Sequence, residues 1–123
     1  MSHISKIELE VTDLESLSKA CQHLGINLVR DKKTYRWYGG EGECDHAITI
    51  PGAGFEIGLV LTKGRYDLLT DFFDTTIETA IGKEGGLLKQ RYAVERTKAE
   101  AKRKGYRVVE RQTDRGVRLY VRM

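Results

Sequence analysis

The amino-acid sequence predicts an α+β protein, in which two main helices cover one face of a mostly antiparallel sheet. Two observations lead to this fold class. Short apolar segments are separated by turn residues, most clearly at residues 51–54, where Pro-Gly-Ala-Gly divides two apolar runs, which is typical of a hairpin. Residues 13–25 and 86–104 instead place apolar side chains at helical spacing. The resulting order, βαβββββααββ, groups strands and helices as α+β proteins do.

The chain begins with a strand followed by a helix. Residues 3–11 alternate apolar and polar side chains, which predicts a half-buried strand. Thr12 and Glu15 have the spacing of a capping box. We therefore expect a helix that starts near Asp13 and ends at Gly25, since glycine commonly follows the last helical residue.

The middle of the chain is predicted to be extended. Residues 26–30 and 34–38 have the composition of short strands, and residues 39–43 contain three glycines and two glutamates, which predicts a flexible acidic loop. Residues 44–50 and 55–62 are the two apolar runs of the Pro-Gly hairpin. All of these segments belong to a single predicted domain that spans residues 1–123.

Further strands and helices follow the hairpin. Residues 66–73 are apolar and predicted to be extended, and Asp74 can cap a short helix over residues 77–81. The longest helix is predicted over residues 86–104 and ended by Gly105.

Charge is distributed unevenly along the chain. Residues 1–82 carry 8 basic and 13 acidic side chains, whereas residues 83–123 carry 13 basic and 5 acidic ones, so that the formal net charge of +3 hides a basic second part. This asymmetry predicts either an anionic partner or pairing between the two parts. No apolar run approaches the length of a membrane span, and two cysteines without metal-ligand spacing favour a reducing compartment. We therefore expect a soluble, cytoplasmic protein without membrane contact.

The chain is predicted to end in a hairpin of residues 106–111 and 117–122. Either a two-residue or a four-residue turn gives a register in which arginines lie opposite arginines. Strand alternation then puts six side chains on one face: Arg107, Val109, Arg111, Arg118, Tyr120 and Arg122. Like charges directly opposite each other are destabilising, and arginine suits phosphate and carboxylate groups. Acidic side chains of the first part, an anionic ligand, or a solvated outer face all remain consistent with this pattern.

Residues 33–38 interleave bases and aromatic rings. The candidate ligand-binding residues of this segment are Lys33, Tyr35, Arg36, Trp37 and Tyr38. Aromatic faces stack on bases and nearby cations meet phosphates, so the segment can bind a nucleotide-like molecule. The alternative is that Trp37 covers the core or the sheet.

His3, Cys44 and His46 are candidate metal ligands. On a strand Cys44 and His46 point the same way, and His3 lies on the inward face of the first strand, so adjacent strands would bring three ligands together. The alternative is a partly buried structural cluster without a metal.

Other functional classes receive less support. The bases at residues 102–104 complement a helix dipole, no groove-reading element is present, and the acidic first part would repel a phosphate backbone, so a nucleic-acid partner is not expected. No pair of carboxylates suggests acid–base catalysis. We expect no cofactor and no enzymatic activity.

Several segments resemble one known family, the hypothetical chloroplast reading frame thirty-five family, whose function is unknown. The segments that carry the resemblance are residues 2–7, 33–39, 44–48 with 51–52, 71–73, 91–95 and 104–106. The resemblance covers nearly the whole chain and implies relatives in cyanobacteria, other bacteria, plastids and phages. It implies no activity and no catalytic residue. Relatives near ATPase genes imply, by analogy, a protein partner.

Three functional hypotheses follow from these patterns. The favoured one is a non-catalytic binding module for a nucleotide-like or other anionic small molecule, which it would sequester through residues 33–38 and the hairpin arginines. The second is an adaptor that docks on an acidic protein partner such as an ATPase. The third is a small metalloenzyme that uses His3, Cys44 and His46. A homo-oligomer is compatible with each of them.

Overall fold

The computed structural model describes residues 4–123. Its helices are α1 (Leu14–His23), α2 (Thr75–Ile81) and α3 (Gly86–Arg103), with a short 3-10 turn at Lys83–Gly85. Its strands are β1 (Ser5–Val11), β2 (Asn27–Arg30), β3 (Thr34–Trp37), β4 (Gly40–Glu43), β5 (His46–Thr49), β6 (Ile57–Thr62), β7 (Arg65–Thr70), β8 (Arg107–Thr113) and β9 (Gly116–Arg122). The predicted α+β class is confirmed, with one strand, β4, more than predicted. None of the described helices is long and apolar enough to cross a membrane.

Five strands form one antiparallel sheet in the order β1-β7-β6-β5-β2. One face of this sheet packs against the helices and forms the main core, as the sequence predicts. The fully buried side chains of this core include Val11, Leu17, Ile48, Ile57, Leu59, Leu68, Ile77 and Leu88. Burial of each such aliphatic side chain contributes about 1.5–3 kcal/mol to folding.

Helix α1 is fixed at its first turn by two sets of contacts. The capping residue is Asp13 rather than Thr12, because the Asp13 carboxylate accepts the N–H of Glu15 at 3.1 Å. The Tyr92 hydroxyl of α3 accepts the N–H groups of Thr12 and Asp13 at 3.1 and 3.2 Å. The start of α1 is therefore joined to α3 as well as to its own cap.

The other face of the sheet is covered by the hairpin of β3 and β4. The prediction of a flexible loop over residues 39–43 is wrong, because β4 pairs with β3 along its whole length. Tyr35 and Cys44 pack there with Ala47 of β5 in a second, smaller core. The Tyr35 ring fills the space where a side chain of residue 42 would lie. Gly42, which suggests flexibility in the sequence, therefore allows close packing.

The hairpin of β8 and β9 stands apart from both sheets. Within residues 4–123 its strands pair only with each other, and its half-buried side is turned to α3. The tip of the hairpin contacts the same helix, since a Cβ added at Gly116 would lie 2.3 Å from the side-chain nitrogen Nε2 of Gln90. Because an isolated two-stranded hairpin is marginally stable in water, this one depends on α3 for its position.

Candidate functional site

The outer side of the β8–β9 hairpin carries the predicted arginines. The register pairs Arg111 with Arg118 and Arg107 with Arg122 across the hairpin, as the sequence predicts. All four guanidinium-bearing residues are exposed. Val109 is 43% exposed and Tyr120, which lies opposite it, is 47% exposed. We call this surface of Arg107, Val109, Arg111, Arg118, Tyr120 and Arg122 the arginine face.

The charges of the arginine face are not neutralised within the described part of the chain. Ion pairs elsewhere join eleven other basic side chains to carboxylates, but none in residues 4–123 involves one of these four arginines. A groove of about 370 Å³ lies on this face, lined by Arg111, Arg122, Tyr120, Val109 and Val121. Exposed cations around apolar side chains are therefore available to an anionic partner.

A buried ionic cluster holds the hairpin on α3 from below. Arg91 is only 6% exposed, and its guanidinium donates to Glu95 on the same helix and to both carboxylate oxygens of Glu110 on β8, at 2.6 to 2.9 Å. Lys98 lies 3.2 Å from Glu110. The hydrogen bonds from Arg91 lower the pKa of Glu110 from 4.5 to about 2, and the same bonds, which Glu110 accepts, raise the pKa of Arg91. Glu110 is thus ionised at neutral pH and anchors the hairpin.

The sequence prediction did not include this cluster. Arg91 and Glu95 have the four-residue spacing of a helical ion pair. Glu110 has the opposite strand parity to Arg107 and Arg111, which places it on the inner side of the hairpin. These two signals together would have identified the cluster.

Two aromatic rings of residues 33–38, those of Tyr35 and Trp37, are used for packing. Tyr35 is 2% exposed and lies over Gly58 of β6, where an added Cβ would be 2.3 Å from the ring. Trp37 packs against the same small core and covers Gly39. Tyr35 therefore has no free face for stacking on a base, and Trp37, which is partly buried, packs on the small core, in line with the alternative in which Trp37 covers the sheet.

The basic side chains of this segment are engaged as well. Glu56 is 4% exposed and accepts the N–H of Arg36 at 2.9 Å. Its carboxylate also lies 3.5 Å from the Lys32 ammonium and 3.8 Å from the Arg36 guanidinium. Lys33 is exposed and lies 3.8 Å from Asp31. Glu56, which the sequence prediction missed, neutralises the charge beside β3.

Tyr38 is the exposed aromatic residue of this segment. Its ring is 65% exposed and meets the edge of Phe73, with 5.4 Å between ring centroids. The Asp71 carboxylate, which is 1% exposed, accepts the N–H of Tyr38 at 3.1 Å and that of Phe73 at 2.9 Å. Asp71 thus fixes both backbones and holds the aromatic pair at the surface.

The two candidate binding segments do not form one site. The β3–β4 hairpin packs on the face of the sheet that carries Tyr35, Cys44 and Ala47. The β8–β9 hairpin packs on α3, whose Leu88 and Tyr92 belong to the core on the other face. The sheet therefore separates residues 33–38 from the arginine face, and a single pocket built from both is not supported.

The proposed metal ligands diverge where they are described. Cys44 lies in the small core and its thiol contacts the Lys32 carbonyl at 3.1 Å. His46 lies against Tyr66, a residue that packs on the main core, and its Nδ1 accepts the N–H of Asp31 at 2.9 Å. The chain bends at Asp45, so the alternation that would place Cys44 and His46 on one side is broken, and that prediction is wrong. His3 lies outside the described residues.

No other cluster within residues 4–123 offers a metal site, since no group of three potential ligands is found there. Burial raises the pKa of the Cys44 thiol, and it raises that of Cys21 to about 12. Both cysteines are free and lie in different cores, on opposite faces of the sheet. Neither is poised as a thiolate ligand or nucleophile.

Comparison with known families gives one match. The family model of DUF1257, described as a protein of unknown function, matches residues 20–119. The chain belongs to the DUF1257 family. The matched range contains both β3–β4 and most of the arginine face, but ends before Tyr120. No curated protein and no solved structure is significantly similar to the chain.

Proposed function

We propose that this DUF1257 protein is a non-catalytic binding module that docks an acidic segment of a partner protein on its arginine face. The observation that carries the proposal is the set of four exposed arginines without a carboxylate partner among residues 4–123. Like charges opposite each other destabilise a sheet. A partner that supplies carboxylates would offset this cost.

The surroundings of the four arginines support a docking surface. The chain neutralises Arg36 with Glu56 and Arg91 with Glu95 and Glu110, so the fold has carboxylates to place beside arginines. The arginine face also exposes Val109 and Tyr120 at its centre. An aromatic and an aliphatic side chain surrounded by arginines have the composition of protein interaction sites.

A protein partner fits these features better than a nucleotide or a nucleic acid. For a nucleotide, Tyr35 and Trp37 are packed against the sheet, which leaves Tyr120 as the one ring on the arginine face that could stack on a base. A nucleic acid would meet the net negative charge of residues 1–82, which carry 13 acidic and 8 basic side chains. An acidic protein segment needs only the arginine face itself.

The proposal is tested by measuring binding of fluorescein-labelled polyglutamate to the protein by fluorescence polarisation at physiological ionic strength. The test variant replaces all four arginines of the face with glutamine. The control variant removes the same charge elsewhere, with Lys63→Gln, Lys83→Gln, Lys89→Gln and Lys102→Gln. We expect at least a tenfold weaker affinity for the test variant, about 1.4 kcal/mol, and an affinity close to wild type for the control.

Other outcomes of this experiment contradict the proposal. Equal weakening in both variants would show that polyglutamate responds to net charge alone. Competition by ATP at concentrations well below those of polyglutamate would instead favour the small-molecule hypothesis, and tighter binding of single-stranded RNA would favour a nucleic acid.

We propose further that the DUF1257 match and the resemblance to the hypothetical chloroplast reading frame thirty-five family describe the same proteins. All quoted segments between residues 33 and 106 lie inside the matched range. A structure of a plastid member with a different strand order would contradict this. We also propose a cytoplasmic location, which two buried free thiols support and which cell fractionation tests.

A further inference from the structure

We propose that the acidic partner binds as an extended strand along the outer edge of β9, which makes the β8–β9 hairpin a three-stranded sheet. This inference rests on the proposed function and specifies how the partner binds. An exposed sheet edge presents a row of free backbone groups that an extended peptide can pair with.

The turn of the hairpin determines which groups point outward. It has two residues, so the pair that closes it, Thr113 and Gly116, exchanges backbone hydrogen bonds, and every second pair from there does the same. The remaining residues of β9 direct their N–H and C=O groups away from β8. These residues are Val117, Leu119 and Val121, and none of them takes part in a backbone hydrogen bond to another element among residues 4–123.

Two grooves lie beside the β9 edge. The groove of the arginine face includes Tyr120, Arg122 and Val121. A second groove of about 450 Å³, between the hairpin and the last turns of α3, includes Val121 together with Ala101. Val121 lines both and is 45% exposed. A strand laid along β9 would place alternate side chains in the two grooves, on opposite faces of the extended sheet.

The side chains of β9 define the sequence pattern of the partner. On one side lie Arg118 and Arg122, with Tyr120 between them, and on the other lie Leu119 and Val121. Residues that face each other in a sheet share a side. The partner strand therefore has acidic residues four positions apart, apolar residues just inside them, and any residue at the centre. We place the partner antiparallel to β9, the direction in which the residues opposite Leu119 and Val121 donate their N–H groups to β9.

The same charges disfavour a second copy of the chain as the occupant. Two β9 edges paired about Tyr120 would bring Arg118 of one copy beside Arg122 of the other, twice. Charged side chains on an edge strand protect it against self-association in this way. Charge repulsion thus disfavours pairing of β9 with a second copy of itself, whereas an acidic strand can bind there.

The test compares three synthetic peptides by isothermal titration calorimetry with the wild-type protein. The first contains Glu-Val-Thr-Val-Glu, the second has both valines N-methylated, and the third has the same residues with the glutamates adjacent. N-methylation removes the donors that would pair with β9, while charge is unchanged. We expect at least tenfold weaker binding for the second and third peptides.

A pair of protein variants locates the edge. Val121→Pro removes an outward N–H from β9, and Val108→Pro removes the equivalent one from β8, since these residues lie opposite each other. Proline is tolerated where a strand N–H faces solvent, and amide hydrogen exchange checks that both hairpins form. We expect Val121→Pro to weaken binding of the first peptide at least tenfold and Val108→Pro to leave it unchanged.

The outcomes separate this inference from the proposed function. If all three peptides bind equally and the four-arginine variant loses them, the arginine face binds acidic segments without strand pairing, and the edge inference is overturned alone. If polyglutamate binds to wild type and none of the three peptides does, the edge inference is overturned while the proposed function stands; if neither polyglutamate nor any peptide binds, both fail. A concentration-dependent dimer that Val121→Pro abolishes would identify a second copy as the occupant and would also overturn the inference.

Discussion

The β3–β4 and β8–β9 hairpins are built alike and used differently. Each has a two-residue turn followed by a glycine with φ near 125°, Gly40 and Gly116. In the part of the chain that the structure describes, the strands of each hairpin pair only with each other. Each alternates basic with apolar or aromatic residues. The β3–β4 hairpin turns its aromatic rings toward the sheet and has Glu56 beside its bases. The β8–β9 hairpin turns a glutamate toward the body and its arginines outward.

This difference shows that a local pattern of bases and aromatic residues does not determine binding. Both hairpins present such a pattern in the sequence, and strand alternation allows either side of each to face the protein. The side that faces inward is determined by the residues that the rest of the protein places opposite the hairpin. Small residues such as Gly58 accept the Tyr35 ring, and Arg91 on α3 accepts Glu110. The side of the hairpin that does not pack against the protein remains available for binding.

The largest expected effect comes from removing the ionic cluster under the β8–β9 hairpin. Arg91→Met leaves Glu95 buried without its cation and releases Glu110. Breaking a buried ion pair in this way costs about 3–5 kcal/mol. We expect this loss in chemical denaturation and faster amide exchange in β8 and β9. The control is Arg30→Met, which breaks the exposed Arg30–Glu15 pair and should cost under about 1 kcal/mol. Equal losses of unfolding free energy would show that the buried cluster stabilises the protein no more than an exposed ion pair does.

A methyl group under Tyr35 tests the packing of the other hairpin. Gly58→Ala places a Cβ about where the Tyr35 ring lies, at 2.3 Å from its nearest atom. Overpacking of this kind costs about 1–3 kcal/mol. The fluorescence of Trp37, the single tryptophan, should change because it shares this small core.

Gly86→Ala is the matched control for the β3–β4 prediction. It adds the same methyl group at a helical position with no atom within 4 Å, and helix propensity favours alanine over glycine. We expect stability equal to or above wild type. A destabilised Gly86→Ala protein, or an unaffected Gly58→Ala protein, would contradict the contrast between the two sites.

Acid should weaken the anchor of the β8–β9 hairpin. Because the pKa of Glu110 is lowered from 4.5 to about 2 in the folded protein, its ionised form contributes stability that is fully present above pH 4.5. This contribution is lost as the pH falls from about 4.5 toward 2. Its size is moderated because the Glu110 side chain is 26% exposed.

The measurement compares wild type with Glu110→Gln by urea denaturation at several pH values. The difference in unfolding free energy should be largest at neutral pH and should shrink below pH 4.5. A difference that does not change with pH would show that the carboxylate charge is not what Arg91 and Lys98 stabilise.

The smallest expected effects differ in sign between the two hairpins. Arg36→Gln removes an ion pair to the buried Glu56 and should destabilise the protein by about 0.5–1 kcal/mol. Arg118→Gln removes a like-charge contact with Arg111 and should be neutral or stabilise by a few tenths of a kcal/mol. Added salt should reduce the Arg118 effect, since it screens exposed charges. A destabilising Arg118→Gln would show that the arginine has an internal partner.

The sequence predicts the parts of this protein that depend on neighbouring residues. The α+β class, the Asp74 cap, the ends of α3 and the arginine register all follow from spacing and turn chemistry. What it does not predict depends on distant contacts. Residues 40–43 form a strand beside β3, where Gly42 leaves room for the Tyr35 ring. The bend at Asp45 places Cys44 and His46 on different sides, and no local sequence pattern predicts this bend.

The position of Glu110 has a consequence for how accurately the last hairpin assembles. A slip of β8 by one residue against β9 would exchange its two sides. Arg107 and Arg111 would then face Arg91 and Lys98, while Glu110 would turn to solvent. The misaligned hairpin would bury several cations and lose the carboxylate that neutralises them. The ionic cluster therefore selects the native register of the hairpin, because only the register that points the arginines outward allows the hairpin to pack on α3.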